Sequence, residues 1–112
     1  MLKGIDPLLT PDLLMRLCAM GHGEWVAVVD ANFTADHLSP GKPVIRLPGN
    51  SLARVSRAVL SVFPLAQDVA QPAAFMHACG TAPDLRTPAQ QAVVDLVVAE
   101  GFKPEQVEPV ER

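Results

Sequence analysis

Aromatic side chains are scarce in this sequence. They make up only 4% of its 112 residues, although hydrophobic residues account for 49%. A core must therefore be built mainly from Val, Leu and Ala, a composition that suits tightly layered α/β packing. For a chain of this length we expect one domain that covers residues 1–112.

Basic runs and long apolar runs are also missing. Lys and Arg total 9 and the net charge is −3, which disfavours nucleic-acid binding. No apolar stretch approaches the ~20 residues that a membrane span needs. The first residues, Met1-Leu2-Lys3, lead into Gly-Ile-Asp-Pro rather than the apolar core of a signal peptide. We therefore expect a cytoplasmic protein without a membrane segment.

Cysteines are few and lack metal or redox spacing. Cys18 and Cys79 form no CxxC pair, so buried thiols are favoured over a disulfide or a redox pair. A metal site would need His77 and Cys79 together with His37 or His22. Because HxxxH, CxxC and HExxH spacings are all absent, we expect no metal.

Helical and extended patterns alternate along the chain. Hydroxyl N-caps at Thr10, at Ser51 (or Asn50) and at Thr87 predict three helices. On the second helix, Arg54 and Arg57 fall opposite the apolar face, which favours a solvated surface. Apolar runs predict strands at 25–29, 44–45 and 73–79, and 107–110 is a candidate for a further strand. This order predicts an α/β fold with a single-layered, mostly parallel sheet flanked by helices.

Two residues around the first predicted strand carry candidate chemistry. His22 stands between Gly21 and Gly23, in a turn that presents an imidazole suited to acid–base work. Asp30 ends the strand, at the sheet edge where ligands of open α/β sheets tend to bind. The alternatives are that His22 only satisfies a carbonyl in the turn and that Asp30 only caps the following loop.

The chain begins MLKGIDPLLTPDLLMRLCAMGHGEWVAVVDANFTA, which contains the motifs MGHG and DANF. This N-terminal sequence resembles the RbsD/FucU family, whose members are L-fucose mutarotases and D-ribose pyranases. The family pattern is approximately MLKGI-PLL-P-LL--LA-MGHG-----DA-FPA, and the MGHG and DANF motifs are in register with it. The resemblance implies an isomerase that opens and recloses the ring of a free, fucose-like or ribose-like monosaccharide, without a cofactor.

The resemblance also implies roles for three residues. His22 would be the proton donor, Asp30 would bind sugar hydroxyls, and Arg112 matches an arginine that contacts substrate. Family members usually continue with a helix that begins F-A-F-Y-E-R, a strand and a Y-G-N-type motif, so we expect a domain that lacks the usual C-terminal helix and strand. The alternative function is a non-catalytic monosaccharide-binding or assembly protein on the same scaffold.

Association between chains is a further expectation, since family members form ring-like homo-oligomers. A straight strand rises about 3.3 Å per residue, so the run from Trp25 to Asp30 would span about 17 Å. One monosaccharide cannot bridge that length. Either the turn folds His22 back along the sheet, or His22 of one chain meets Asp30 of a neighbouring chain, and we expect the second arrangement.

Overall fold

The computed structural model describes residues 1–78, 80–82 and 85–111. The chain divides into two compact units, Met1–Phe63 and Pro64–Arg112. None of the helices in the described ranges is long and apolar enough to cross a membrane.

The first unit is built around helices α1 (Pro11–Ala19), α2 (Ala35–Leu38) and α3 (Leu52–Leu60). Thr10 and Ser51 accept hydrogen bonds from the backbone N–H groups of Leu13 and Arg54, so both predicted N-caps are confirmed. The buried apolar residues of this unit come from the segment before α1, from α1 and from α3: Leu9, Leu13, Leu17, Ala58 and Val59.

The second unit contains strand β1 (Ala73–Met76), helix α4 (Pro88–Ala99), a 3₁₀ turn (Pro104–Gln106) and strand β2 (Val107–Val110). The two strands are parallel and pair from Ala73 opposite Val107 to Met76 opposite Val110. The connection through α4 gives the β-α-β order that the sequence predicts. The predicted α/β class with a parallel sheet is therefore confirmed, and the core of this unit is apolar at Val94, Val97 and Val107.

Two predicted strands are wrong in this structure. Residues 25–29 and 44–45 form no strand, and in the described part of the chain residues 25–29 make no backbone–backbone hydrogen bond. An apolar run becomes a strand only when a partner satisfies its N–H and C=O groups. The run is also poorly covered, since Trp25 is 66% exposed.

Three details of side-chain burial also differ from the sequence prediction. Cys18 lies on the exposed side of α1, so the expectation of a buried thiol is wrong there. On α4, the spacing of apolar residues predicts a buried stripe of Ala92, Val93, Leu96 and Val97, whereas the buried residues are Val94 and Val97. Arg54 is not a solvated surface residue, because its guanidinium pairs with Asp6.

Candidate functional site

His22 lies in a tight turn that begins directly after the C-cap of α1. The N–H of Glu24 donates to the carbonyl of Gly21 at 3.3 Å, which closes the turn around His22 and Gly23. Gly23 has φ of +83°, a conformation that residues with a Cβ rarely adopt. The predicted two-glycine turn is therefore present, and it leaves His22 exposed.

Glu24 is a part of this turn that the sequence interpretation missed. Its Oε2 accepts the backbone N–H of Gly21 at 2.5 Å. Residues 21–24 are therefore held both by this side-chain hydrogen bond and by the backbone hydrogen bond between Glu24 and Gly21. The signal was local, because an acid three residues after Gly21 is placed to accept that N–H once the turn has formed. The backbone on both sides of His22 is therefore held by two bonds between Gly21 and Glu24.

Asp30 is exposed and begins a second turn. Its Oδ1 accepts the N–H of Asn32 at 2.8 Å, and its carbonyl accepts the N–H of Phe33 at 3.2 Å. This is the capping arrangement that the sequence analysis named as the alternative to a binding role. The two roles are compatible, because no described residue forms a hydrogen bond with Oδ2, and a carboxylate oxygen accepts hydroxyl donors.

The chain between His22 and Asp30 affects the argument for a shared site. The straight-strand length of about 17 Å assumed a regular strand from Trp25 to Asp30. No strand is formed there, so this length is not a measure of the separation between the two residues. Exposure of Trp25 in the single chain is the observation that still favours a neighbouring chain.

An open apolar depression of about 780 Å³ in the first unit includes neither candidate. It is lined by residues of the N-terminal segment and α1, among them Leu2, Ile5, Leu14, Met15 and Cys18. The carboxylate of Asp6 also lines it but is paired with Arg54, and the remaining walls are mainly apolar, so the depression offers few acceptors for the hydroxyl groups of a sugar. The candidate chemistry therefore remains with the two turns at His22 and Asp30.

Arg112 and Cys79 lie outside the described residues. His77 would share the alternative metal site with Cys79. Its Nε2 lies 2.7 Å from Oε1 of Glu111, and its Nδ1 lies 3.2 Å from the carbonyl oxygen of Ala78. Those contacts occupy the atoms that a metal would need. Within the described ranges, no group of three or more His, Cys, Asp or Glu side chains is placed to hold a metal ion.

The segment before α1 is held to α3 by an ion pair between Asp6 and Arg54. Arg54 on α3 donates from Nη1 and Nη2 to the two carboxylate oxygens of Asp6, at 2.8 and 2.7 Å. These bonds lower the pKa of Asp6, with a smaller lowering from the N–H of Leu8. The pair is a structural feature that sequence reasoning missed, since the partners lie 48 positions apart.

The described geometry defines a class of protein, a small α/β chain. Its first unit presents an exposed histidine and an exposed aspartate on two successive turns, and its second unit contains a pair of parallel strands. The pattern of the RbsD / FucU transport protein family matches residues 3–112. The chain belongs to that family, as the N-terminal resemblance indicated.

Relatives and a solved structure show how far the similarity extends. The fucose mutarotase of Mus musculus is 42% identical over 76 residues, which cover 67% of this chain and 50% of that protein. The L-fucose mutarotase of Glaesserella parasuis is 42% identical over 78 residues, 70% of this chain and 52% of that protein. The chain thus spans about half the length of these curated relatives.

The structural similarity covers nearly the whole chain. The crystal structure of FucU from Bifidobacterium longum superposes with a TM-score of 0.89 at 31% sequence identity, covering 98% of this chain and 77% of that chain. Similarity at this level supports the same fold. It extends well beyond the N-terminal motifs on which the resemblance was first based.

Proposed function

We propose that this protein is a sugar mutarotase that interconverts the anomers of a free, fucose-like monosaccharide. Family membership, relatives named as fucose mutarotases, and MGHG and DANF motifs in register support this proposal. The observation that carries it is the exposed His22 in a turn that two hydrogen bonds close. The alternative, a non-catalytic sugar-binding or assembly protein, would use the same turns without proton transfer.

The proposed reaction transfers protons at the ring oxygen and at the anomeric hydroxyl. The bond between C1 and the ring oxygen breaks when a proton reaches the ring oxygen and the anomeric hydroxyl gives its proton to a carboxylate or a water molecule, which leaves an open-chain aldehyde. After rotation about the C1–C2 bond, the reverse transfers close the ring on the other face of C1. His22 is the proposed proton donor. Asp30 would accept a sugar hydroxyl through Oδ2 while Oδ1 keeps its bond to the N–H of Asn32.

Two further parts of the proposal rest on the resemblance. Arg112 is proposed as a substrate contact. The functional protein is proposed to be a ring-shaped homo-oligomer, and the exposure of Trp25 and Leu38 in the single chain supports association. A cytoplasmic location and the absence of a cofactor stay predictions.

Exchange NMR on α- and β-fucose tests the function directly. We expect the wild-type chain to speed interconversion above the buffer rate, and we expect His22→Ala to lose about 10²–10⁴-fold of that rate, the usual contribution of general acid–base catalysis. The turn should survive, because its two hydrogen bonds come from Gly21 and Glu24.

His37→Ala is the matched control, since it removes an exposed imidazole from the same unit. It should exchange at the wild-type rate. If the wild-type chain binds fucose or ribose but leaves their interconversion at buffer rates, the binding alternative replaces the enzyme. If His22→Ala exchanges like the wild type, another residue is the proton donor.

A further inference from the structure

The second unit holds a buried histidine that the proposed reaction does not use. His77 follows β1 directly, and only 8% of its side chain is exposed. Its Nε2 lies 2.7 Å from Oε1 of Glu111, which in turn follows β2 directly. Glu111 is 85% exposed, so the pair joins a buried ring to a carboxylate at the surface.

The contacts of His77 define its protonation state. Nδ1 lies 3.2 Å from the carbonyl of Ala78, and a carbonyl only accepts. A carboxylate also only accepts, and the imidazolium is the form of the ring that carries an N–H group for each of the two contacts, so this environment favours the protonated form. The Glu111 bond and then the Ala78 carbonyl raise the pKa of His77 above its ordinary value, while burial opposes them.

The pair lies where the strand pairing ends. The last paired residues are Met76 and Val110, and the N–H of His77 adds one more bond to the carbonyl of Val110 at 3.1 Å. A two-stranded sheet has little stability of its own, and parallel pairing is the weaker kind. The four-residue pairing of β1 and β2 is therefore weak by itself, and the bond between His77 and Glu111 adds a further link at its end.

We propose that His77 and Glu111 form a proton-dependent clasp that holds the carboxyl ends of β1 and β2 together and opens when the imidazolium loses its proton. β1 contributes no charged side chain, and α4 directs the neutral Gln90 to the neighbouring carbonyl of Met76. Glu108 on β2 is exposed. Among the described residues, Glu111 is the charged group that acts on the ring.

The direction of the pH effect follows from the raised pKa. A histidine with a raised folded-state pKa contributes its full stabilisation below the unfolded value of about 6.5 and loses it as the pH rises through the folded value. The clasp should therefore be closed in mildly acidic solution and open in alkaline solution. The opening equilibrium changes about tenfold for each unit by which the pKa is raised.

Side-chain NMR of His77, with amide hydrogen exchange of the same residue, tests the clasp. We expect the pKa of His77 to lie above the ordinary value of about 6.5, and the protection factor of its amide to fall about tenfold per unit of raised pKa as the pH crosses that midpoint. Glu111→Gln should lower the midpoint and abolish the pH dependence of protection. Its exposed position makes this substitution compatible with folding.

Glu108→Gln is the control, because it removes one negative charge from an exposed position on β2 itself. It should leave both measurements at their wild-type values. The clasp is refuted if Glu111→Gln leaves the midpoint of His77 unchanged. It is equally refuted if wild-type amide protection stays constant across that midpoint. Both readings are independent of sugar turnover, so they hold whether or not the proposed mutarotase activity is found.

Discussion

At the scale of single residues, the Asp6–Arg54 pair is a partly buried, bidentate contact in the first unit. Both side chains are partly buried, at 21% and 32% exposure, and two parallel N–H···O bonds join them. Bidentate arginine–carboxylate pairs combine charge with geometric specificity. The Oδ1 of Asp6 also accepts the N–H of Leu8, so one carboxylate anchors the segment before α1 to α3.

Replacing Arg54 with Ala should lower the urea midpoint of unfolding, because Asp6 would keep its partly buried charge without a partner. Arg57→Ala is the control. Arg57 lies on the same helix, is exposed and affects Asp6 only through weaker charge attraction. Equal midpoints for the two variants would show that the Asp6–Arg54 pair contributes little.

Acid should remove the difference between Arg54→Ala and the wild type. Because Arg54 lowers the pKa of folded Asp6, the pair's contribution is fully present above the unfolded value of about 3.9 and is lost as the pH falls through the lower folded value. The two unfolding midpoints should therefore converge as the pH falls below 4.

At the scale of elements, the N-terminus of α4 is connected to the end of β1 by one side chain. The side-chain Oε1 of Gln90 accepts the backbone N–H of Thr87 at 2.9 Å, and the backbone N–H of Gln90 donates to the hydroxyl of Thr87. These two bonds form the predicted capping box. The Nε2 of Gln90 also donates to the carbonyl of Met76 at 2.6 Å. One amide thus serves both the helix and the strand.

Gln90→Glu separates these two tasks. The carboxylate can still accept the N–H of Thr87, but it cannot donate to the carbonyl of Met76. We expect the variant to lose about 1 kcal/mol of unfolding free energy, the usual net value of one hydrogen bond. Denaturant unfolding at neutral pH measures this loss.

Gln106→Glu is a matched control in the same unit. Gln106 makes the equivalent capping bond to the N–H of Lys103 at 2.9 Å, and this substitution adds the same charge while keeping that bond. It should be close to wild type. Equal losses in the two variants would attribute the effect to charge rather than to the carbonyl of Met76.

At the scale of the whole molecule, large apolar side chains remain uncovered in the single chain. Leu2, Trp25 and Leu38 are each more than 60% exposed. Trp25 lies between His22 and Asp30 in the sequence, so a neighbouring chain that covered it would also approach the candidate site. Such surfaces mark interaction sites, and this one favours the proposed shared site.

Co-expression of His22→Ala and Asp30→Ala chains tests that arrangement. If each site takes its histidine from one chain and its aspartate from the next, about a quarter of the sites in randomly mixed oligomers are intact. Fucose exchange well above that of either variant alone is the expected result. Native mass spectrometry of differently labelled chains establishes whether the two variants mix.

A second co-expression, His22→Ala with His22→Gln, supplies the baseline because no combination of these chains restores the histidine. Exchange at that baseline in verified mixed oligomers of the first pair would place His22 and Asp30 of the same chain in one site.

Short-range patterns in the sequence were sufficient for the three capped helices α1, α3 and α4 and for the turns in which His22 and Asp30 lie, whereas the short helix α2 was missed. Thr10, Ser51 and Thr87 cap helices through bonds to residues three positions away, and the Gly21–Gly23 turn also closes within four residues. Such bonds form wherever the local backbone bends correctly. Family membership likewise followed from residues close together in the chain.

Contacts between distant residues were decided only by the tertiary structure. Residues 25–29 have the composition of a strand, yet a strand exists only where another segment satisfies its backbone groups. Asp6 pairs with Arg54 across 48 positions, and His77 with Glu111 across 34. No spacing pattern predicts such pairs, because the path of the whole chain brings them together.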